Sequence, residues 1–237
     1  MTYFKVVAGL VLGCAVAITP CAHADTLNLF TTGVDNTGTP LAYGSLDTHY
    51  SLTVSGCAPA NQTACAGYQS TAVLNHPAWL PNTGSASWIN PGPPSATNTQ
   101  GTQNYDVGAT YDYTQTFFIP TGDLASLTVT GTWTSDNNSI LLLNGVATGF
   151  AVNYPGYSQG SLESFTLTAA NGLVAGNNTL TFEVQNGLQN GYTGGDNPTG
   201  IFVTNISAAT PEPSSLMLLG TGLISACGVL RRRVVRG

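Results

Sequence analysis

The sequence predicts an all-β sandwich, on three observations. Apolar and polar residues alternate at period two in several short runs, which marks half-buried strands. Gly, Asn and Pro clusters separate those runs, and the long stretch between the two chain ends carries almost no helical pattern. Short strands punctuated by turns make two packed sheets, a sandwich or jelly roll, the expected solution.

The runs are taken in order. Tyr50 to Val54 opens the series, followed by Tyr111 to Ile119. In Ser126 to Trp133, Leu127, Val129 and Trp133 share one face, while Thr128, Thr130 and Thr132 take the other. Ile140 to Leu143 precedes Asn144-Gly145, a dipeptide that suits a tight hairpin turn. Phe165 and Leu167 alternate with Ser164, Thr166 and Thr168; Leu180, Phe182 and Val184 alternate with Thr179, Thr181, Glu183 and Gln185. Ile201 to Ile206 closes the series. Residues 25–209 form one domain in this reading, long enough to bury a core between two sheets.

Charge narrows the function classes. Only 7% of the 237 residues are charged, against about 25% in an average soluble protein. Every cation lies at an end: Lys5, then Arg231, Arg232, Arg233 and Arg236. Asp25 to Thr210 contains ten acids and no Lys or Arg, a formal charge of −10 with histidines neutral. A surface without cations cannot neutralise phosphates, so nucleic acid is excluded as a partner. Neutral polyols and divalent cations stay open.

The ends read as addresses. Residues 1–24 have the build of a secretory signal peptide: Lys5, the apolar run Val6 to Ile18, and Ala22-His23-Ala24 as a cleavage site between Ala24 and Asp25. Thirteen apolar residues are short for a membrane span. Pro20 before Cys21 does not suit a lipid-attachment site. At the other end, residues 210–237, Pro211-Glu212-Pro213 leads into the apolar run Ser214 to Leu230 and then Arg231-Arg232-Arg233. As a helix, 214–230 would extend roughly 25 Å, enough to cross a slightly thinned bilayer. The basic end 231–236 would stay cytoplasmic and leave the domain on the export side.

This order of Pro-Glu-Pro, short apolar helix and basic cluster resembles the PEP-CTERM sorting signal. The resemblance implies an exported bacterial protein, a transient stay in the inner membrane, and recognition by an exosortase-type membrane enzyme in an exopolysaccharide-producing cell. In the domain, Trp133, Ser135-Asp136-Asn137-Asn138, Leu143-Asn144-Gly145, Gly176-Asn177-Asn178-Thr179-Leu180 and Asn197-Pro198-Thr199-Gly200 resemble the galactose-binding-like jelly roll of many such proteins. Thr32-Gly33-Val34-Asp35, Asp47-Thr48-His49-Tyr50 and Ser87-Trp88-Ile89 fit the same pattern. Related folds serve as carbohydrate-binding modules, sometimes with a structural calcium ion.

Two cysteines remain once the signal peptide and tail are removed. Cys57 and Cys65 close a short loop containing Pro59, and in an oxidising compartment an isolated pair is expected to form a disulfide. Gly-x-Ser-x-Gly occurs once, at Gly156-Tyr157-Ser158-Gln159-Gly160, but the residues that follow alternate as a strand rather than a helix, so it is not a nucleophile elbow. No Cys/His metal spacing is present. His49 reads as a hydrogen-bonded structural residue and His76 has no evident partner. Glu163 and Glu183 have no separation fixed by sequence, as a glycosidase pair would require. Catalytic residues are therefore not expected.

Sugar binding is the sharpest functional expectation. It needs an aromatic platform beside amide or carboxylate groups, and loop-like segments supply Trp79, Tyr154, Tyr157 and Tyr192 near Asn190, Asp196 and Asn197. Trp88 reads as core. Tyr154 and Tyr157, around Pro155-Gly156, are the best candidates for exposure. Asp136, with Asn137 and Asn138, offers oxygens of the kind calcium takes. The expected role is a non-catalytic surface or matrix protein contacting neutral polysaccharide. A secreted carbohydrate-active enzyme and a structural matrix component without a ligand are the alternatives.

Overall fold

The computed structural model describes residues 27–57, 68–72, 78–92, 108–157, 162–187, 198–209 and 222. The signal peptide, Cys65, His76, Tyr192, Asp196, Asn197 and the expectations placed on 210–237 lie outside the described residues.

Ten strands run in chain order: β1 (Ser51–Ser55), β2 (Gln69–Ala72), β3 (Ile89–Gly92), β4 (Ala109–Ile119), β5 (Thr128–Asp136), β6 (Asn138–Leu143), β7 (Val146–Val152), β8 (Glu163–Leu167), β9 (Gly176–Asn186) and β10 (Gly200–Ala209). They make two five-stranded sheets, ordered β1-β4-β9-β6-β7 and β2-β3-β10-β5-β8. Every pairing is antiparallel.

From β3 to β10 the chain changes sheet at every step except the β6–β7 hairpin. The two inner quartets, β4-β9-β6-β7 and β3-β10-β5-β8, thus wind as an eight-stranded jelly roll, with β1 and β2 each widening one sheet. The β6–β7 turn is the one foreseen: Asn144 and Gly145 both have positive φ, 52° and 77°. Asn144 Nδ2 donates to Asn178 Oδ1 at 3.0 Å and its Oδ1 accepts Thr179 N–H at 2.9 Å, tying the turn to the start of β9.

Alternation decides what is buried. Tyr111, Tyr113, Phe117 and Ile119 of β4, Leu180, Phe182 and Val184 of β9, and Val129 and Trp133 of β5 all face one core. Trp133, Phe165 and Phe182 pack within it as tilted and edge-on rings, 5.7–6.2 Å between centroids.

A second, smaller cluster sits outside that core. Ile201 and Val203 of β10 belong to the main core, whereas Phe202, pointing the other way, packs with Trp79, Ala86 and Trp88. The 78–88 excursion therefore covers the outer side of β10. Trp79 and Trp88 stack at 4.3 Å, and the Trp88 indole donates to Leu80 O at 2.8 Å. Both indoles are buried, so Trp88 is core as read from sequence, and Trp79 is packing too rather than a loop platform.

Candidate functional site

The strand ends at one pole of the sandwich gather Asp136, Asn137 and Asn138 with the β7–β8 connection. Asp136 closes β5, and its carboxyl is buried. Trp79 Nε1 donates to Asp136 Oδ2 and Asn137 Nδ2 to Oδ1, both at 2.8 Å. Asp136 O accepts the Thr199 hydroxyl, and Asn137 Oδ1 accepts Gly187 N–H at 3.3 Å. Burial pushes the Asp136 carboxyl up to about 7, with the Trp79 hydrogen bond pulling the other way. The oxygens that sequence offered to calcium thus each meet an N–H or O–H donor, making this junction a clamp between three loops. Among the described residues no cluster of three or more His, Cys, Asp or Glu could hold a metal ion.

The tyrosine pair lies beside that clamp. Tyr154 N–H donates to Asn138 Oδ1 at 2.6 Å, and Thr134 Oγ1 donates to Gly156 O. Leu80 N–H donates to Tyr157 O at 2.9 Å. Those three bonds fix the loop backbone, and the rings then meet edge to face with centroids 5.7 Å apart. Tyr154 is 53% exposed. The neighbouring Tyr154 hydroxyl, 3.4 Å away, then burial and the Asp136 charge, push the Tyr157 phenol up to about 12. Tyr154 therefore stands at the surface on a braced loop, whereas Tyr157, read from sequence as exposed, is partly buried and packs against the Trp79, Trp88 and Phe202 cluster.

A different feature, not foreseen as a site, opens on the outer side of β1 and β4. It is an open cleft of about 640 Å³. Ser51, Thr114 and Thr116 form its floor; Asn28, Phe30, Asn36, Thr48 and His49 make the walls. The His49 imidazole lies nearly parallel to the Phe30 ring, 3.7 Å between centroids and 16° between planes. His49 Nε2 is 2.9 Å from Asn36 Oδ1. Its Nδ1 is 3.2 Å from Asp47 Oδ1, close enough for electrostatic pairing but off the line of a hydrogen bond.

Asp47 is the buried anchor of this wall. Its Oδ2 accepts Gly33 N–H at 2.7 Å and its Oδ1 accepts His49 N–H at 3.0 Å. Burial raises its pKa, and those backbone donors offset part of the rise. Ser51, two residues beyond His49, donates its hydroxyl to Thr114 O at 3.2 Å. The Asp-His-Ser order thus lacks the serine–imidazole contact a nucleophile would use.

Asp112 and Glu183 are directly paired across β4 and β9 on this same outer face. Burial, then the Glu183 charge, raise the Asp112 pKa. Alternation put Glu183 on the polar face correctly, but its neighbour Asp112 was not foreseen. Glu163 lies in the other sheet.

Fold and surface together define an acidic jelly-roll β-sandwich. Residues 209–233 match the PEP-CTERM protein-sorting motif, so the chain carries a C-terminal signal for export with membrane anchoring. No curated protein matches it in sequence. Among solved structures it is similar to the CBM36-1 domain of a multidomain xylanase from the hindgut metagenome of Trinervitermes trinervoides. That match has 17% identity and a TM-score of 0.26, over 46% of this chain and 82% of the other. It is also similar to a family 35 carbohydrate binding module from an environmental isolate, at 13% identity and a TM-score of 0.32, over 71% and 96%. An inferred beta-galactosidase from Bacteroides fragilis matches at 16% identity and a TM-score of 0.33, over 68% of this chain and 23% of that one.

Proposed function

We propose that this is a non-catalytic cell-surface or matrix protein that contacts neutral polysaccharide and is handed to its destination by an exosortase-type enzyme. The observation that carries the reading is the Tyr154–Tyr157 pair: two phenols, edge to face at 5.7 Å, on a loop held by Asn138, Thr134 and Leu80. Rigid aromatic rings give sugar C–H faces a surface at little entropic cost, and their hydroxyls add hydrogen bonds. The missing cations between Asp25 and Thr210 favour an uncharged polymer over an acidic one. A polymer made in the same envelope suits a protein carrying a sorting motif.

Native gel electrophoresis through immobilised neutral polysaccharides tests it. The exported protein should be retarded, and Tyr154→Ala together with Tyr157→Ala should weaken that retardation. Unchanged migration of the double variant would remove the tyrosine platform. Repeating the run with calcium and with a chelator tests whether Asp136 binds calcium.

A further inference from the structure

The β1–β4 cleft has chemistry of its own. It lies on the outer side of one sheet, where Ser51 of β1 and Thr114 of β4 face each other in register, whereas the tyrosine pair occupies a loop after β7. Its walls present hydroxyls, amides, an imidazole and one phenyl ring, and among the described residues no Lys, Arg, Asp or Glu lines it. An anion would find no counter-charge among those lining residues. Two acids stand behind the walls: Asp47, 3.2 Å from His49 Nδ1, spends its oxygens on Gly33 and His49 N–H, and Asp35 spends Oδ1 on Thr37 N–H, the Thr37 hydroxyl and Thr39 N–H. About 640 Å³ falls within the usual range of small-molecule sites.

The cleft is also rigidly built. Gln115 is buried and holds the Phe30 backbone through both ends of its amide. The Tyr50 hydroxyl donates to the same Phe30 carbonyl at 2.7 Å. Asp47, itself buried, fixes both the Gly33 backbone and the His49 backbone. Thr114 Oγ1 meets Thr181 Oγ1 of β9 at 2.8 Å, so the floor is tied sideways into the sheet. Buried polar side chains spent on holding one aromatic ring, one imidazole and a hydroxyl floor are what a preorganised recognition site requires. A loop that merely crossed the sheet could be held by apolar packing.

We infer that this cleft is a second, separate binding site for an uncharged polyhydroxylated ligand, a one- or two-sugar segment of a neutral polysaccharide. Phe30, backed by the stacked His49 imidazole, meets its C–H face, while Asn36, Ser51 and Thr116 exchange hydrogen bonds with its hydroxyls. The inference rests on the polysaccharide reading above but not on the tyrosine pair. A protein with two such sites can bridge chains or hold one chain at two points, which multiplies weak contacts.

The test uses the exported protein in native gels cast with galactomannan, xyloglucan, arabinoxylan or dextran. Thr116→Trp fills the cleft from an exposed position; Thr116→Val and Ser51→Ala each remove one hydroxyl with little change of shape. Wild type is expected to be retarded by at least one polymer. Thr116→Trp should lose its part of that retardation, and each hydroxyl variant should weaken binding roughly fivefold, all at unchanged melting temperature. Wild-type retardation in Thr116→Trp overturns the cleft site, even where the tyrosine variants fail. Loss in Thr116→Trp with full binding by Tyr154→Ala and Tyr157→Ala keeps the cleft and overturns the tyrosine platform. No retardation of wild type by any of the four polymers overturns both.

Discussion

Gln115 and Phe30, 85 residues apart, are joined by a two-point hydrogen bond. Phe30 N–H donates to Gln115 Oε1 at 2.8 Å, and Gln115 Nε2 donates to Phe30 O at 2.9 Å. The amide offers the Phe30 backbone the donor and acceptor that a neighbouring strand's backbone would offer.

Gln115→Leu should therefore leave the part-buried Phe30 N–H without this acceptor. A buried unsatisfied donor costs about 1–3 kcal/mol. Chemical denaturation should show a loss of that size, with the m-value unchanged.

Asp136 gives the protein a pH-dependent stability. Its carboxyl is raised to about 7 when folded and titrates near 3.9 when unfolded. Between those values the folded state binds the extra proton, so this contribution is complete below about pH 4 and is lost as pH rises through 7. The loss is on the order of 4 kcal/mol. Asp136→Asn, which cannot ionise, should flatten the melting-temperature profile from pH 4 to 8. Trp79→Phe removes a donor that holds the pKa down, so stability should keep falling to a higher pH. A wild-type profile that rises across this window would refute the assignment.

Much of this architecture could be read from the chain. The runs at 50–54, 111–119, 126–133, 140–143, 164–168, 179–185 and 201–206 all overlap strands, because each alternates cleanly and is bounded by turn residues. β7 was missed: its Gly149 and small residues blunt the alternation, although Asn144-Gly145 announced a hairpin that needed a second arm. β2 and β3 have four residues each, and Pro91 interrupts β3. The cleft was hidden for another reason. Its walls come from residues 28–49 and its floor from β1 and β4, so only the register joins them. One local sign existed: Gln115 is polar at an inward position between Tyr113 and Phe117.

The core has little room beside Gly131 of β5. A Cβ built there would stand 2.6 Å from Phe165 Cζ and 2.7 Å from Cε1. Phe165 cannot easily retreat, since Trp133 and Phe182 hold it on two sides. Gly131→Ala should cost about 1–3 kcal/mol through overpacking, visible as a lower denaturation midpoint. Phe165→Leu in the same chain should recover part of the loss. A neutral Gly131→Ala would mean that the ring trio yields more readily than its packing indicates.

Cys57 follows β1 and packs against the main core, and its expected partner is Cys65. In an exported protein that pair should resist alkylation until reduced. Replacing both cysteines with serine should cost on the order of 2–3 kcal/mol by the loop-entropy argument. Non-reducing peptide mapping decides the pairing, and quantitative alkylation of both thiols in the native protein would exclude it.

The sorting motif makes a prediction independent of any ligand. Residues 209–233 match the PEP-CTERM signal, whose apolar run ends on three arginines. Arginine resists transfer across a bilayer, so the run should stop in the membrane with residues 25–209 on the export side. Processing at the motif should then release the domain. Mass spectrometry of the surface-located protein is expected to find Asp25 at the N-terminus and no peptide containing Leu216 to Leu230. Replacing Pro211, Glu212 and Pro213 with alanine removes the recognition sequence but leaves the apolar run intact. That variant should accumulate in the membrane fraction with its tail attached. Release of the variant at the wild-type rate would show that Pro-Glu-Pro is not what the processing enzyme reads in this chain.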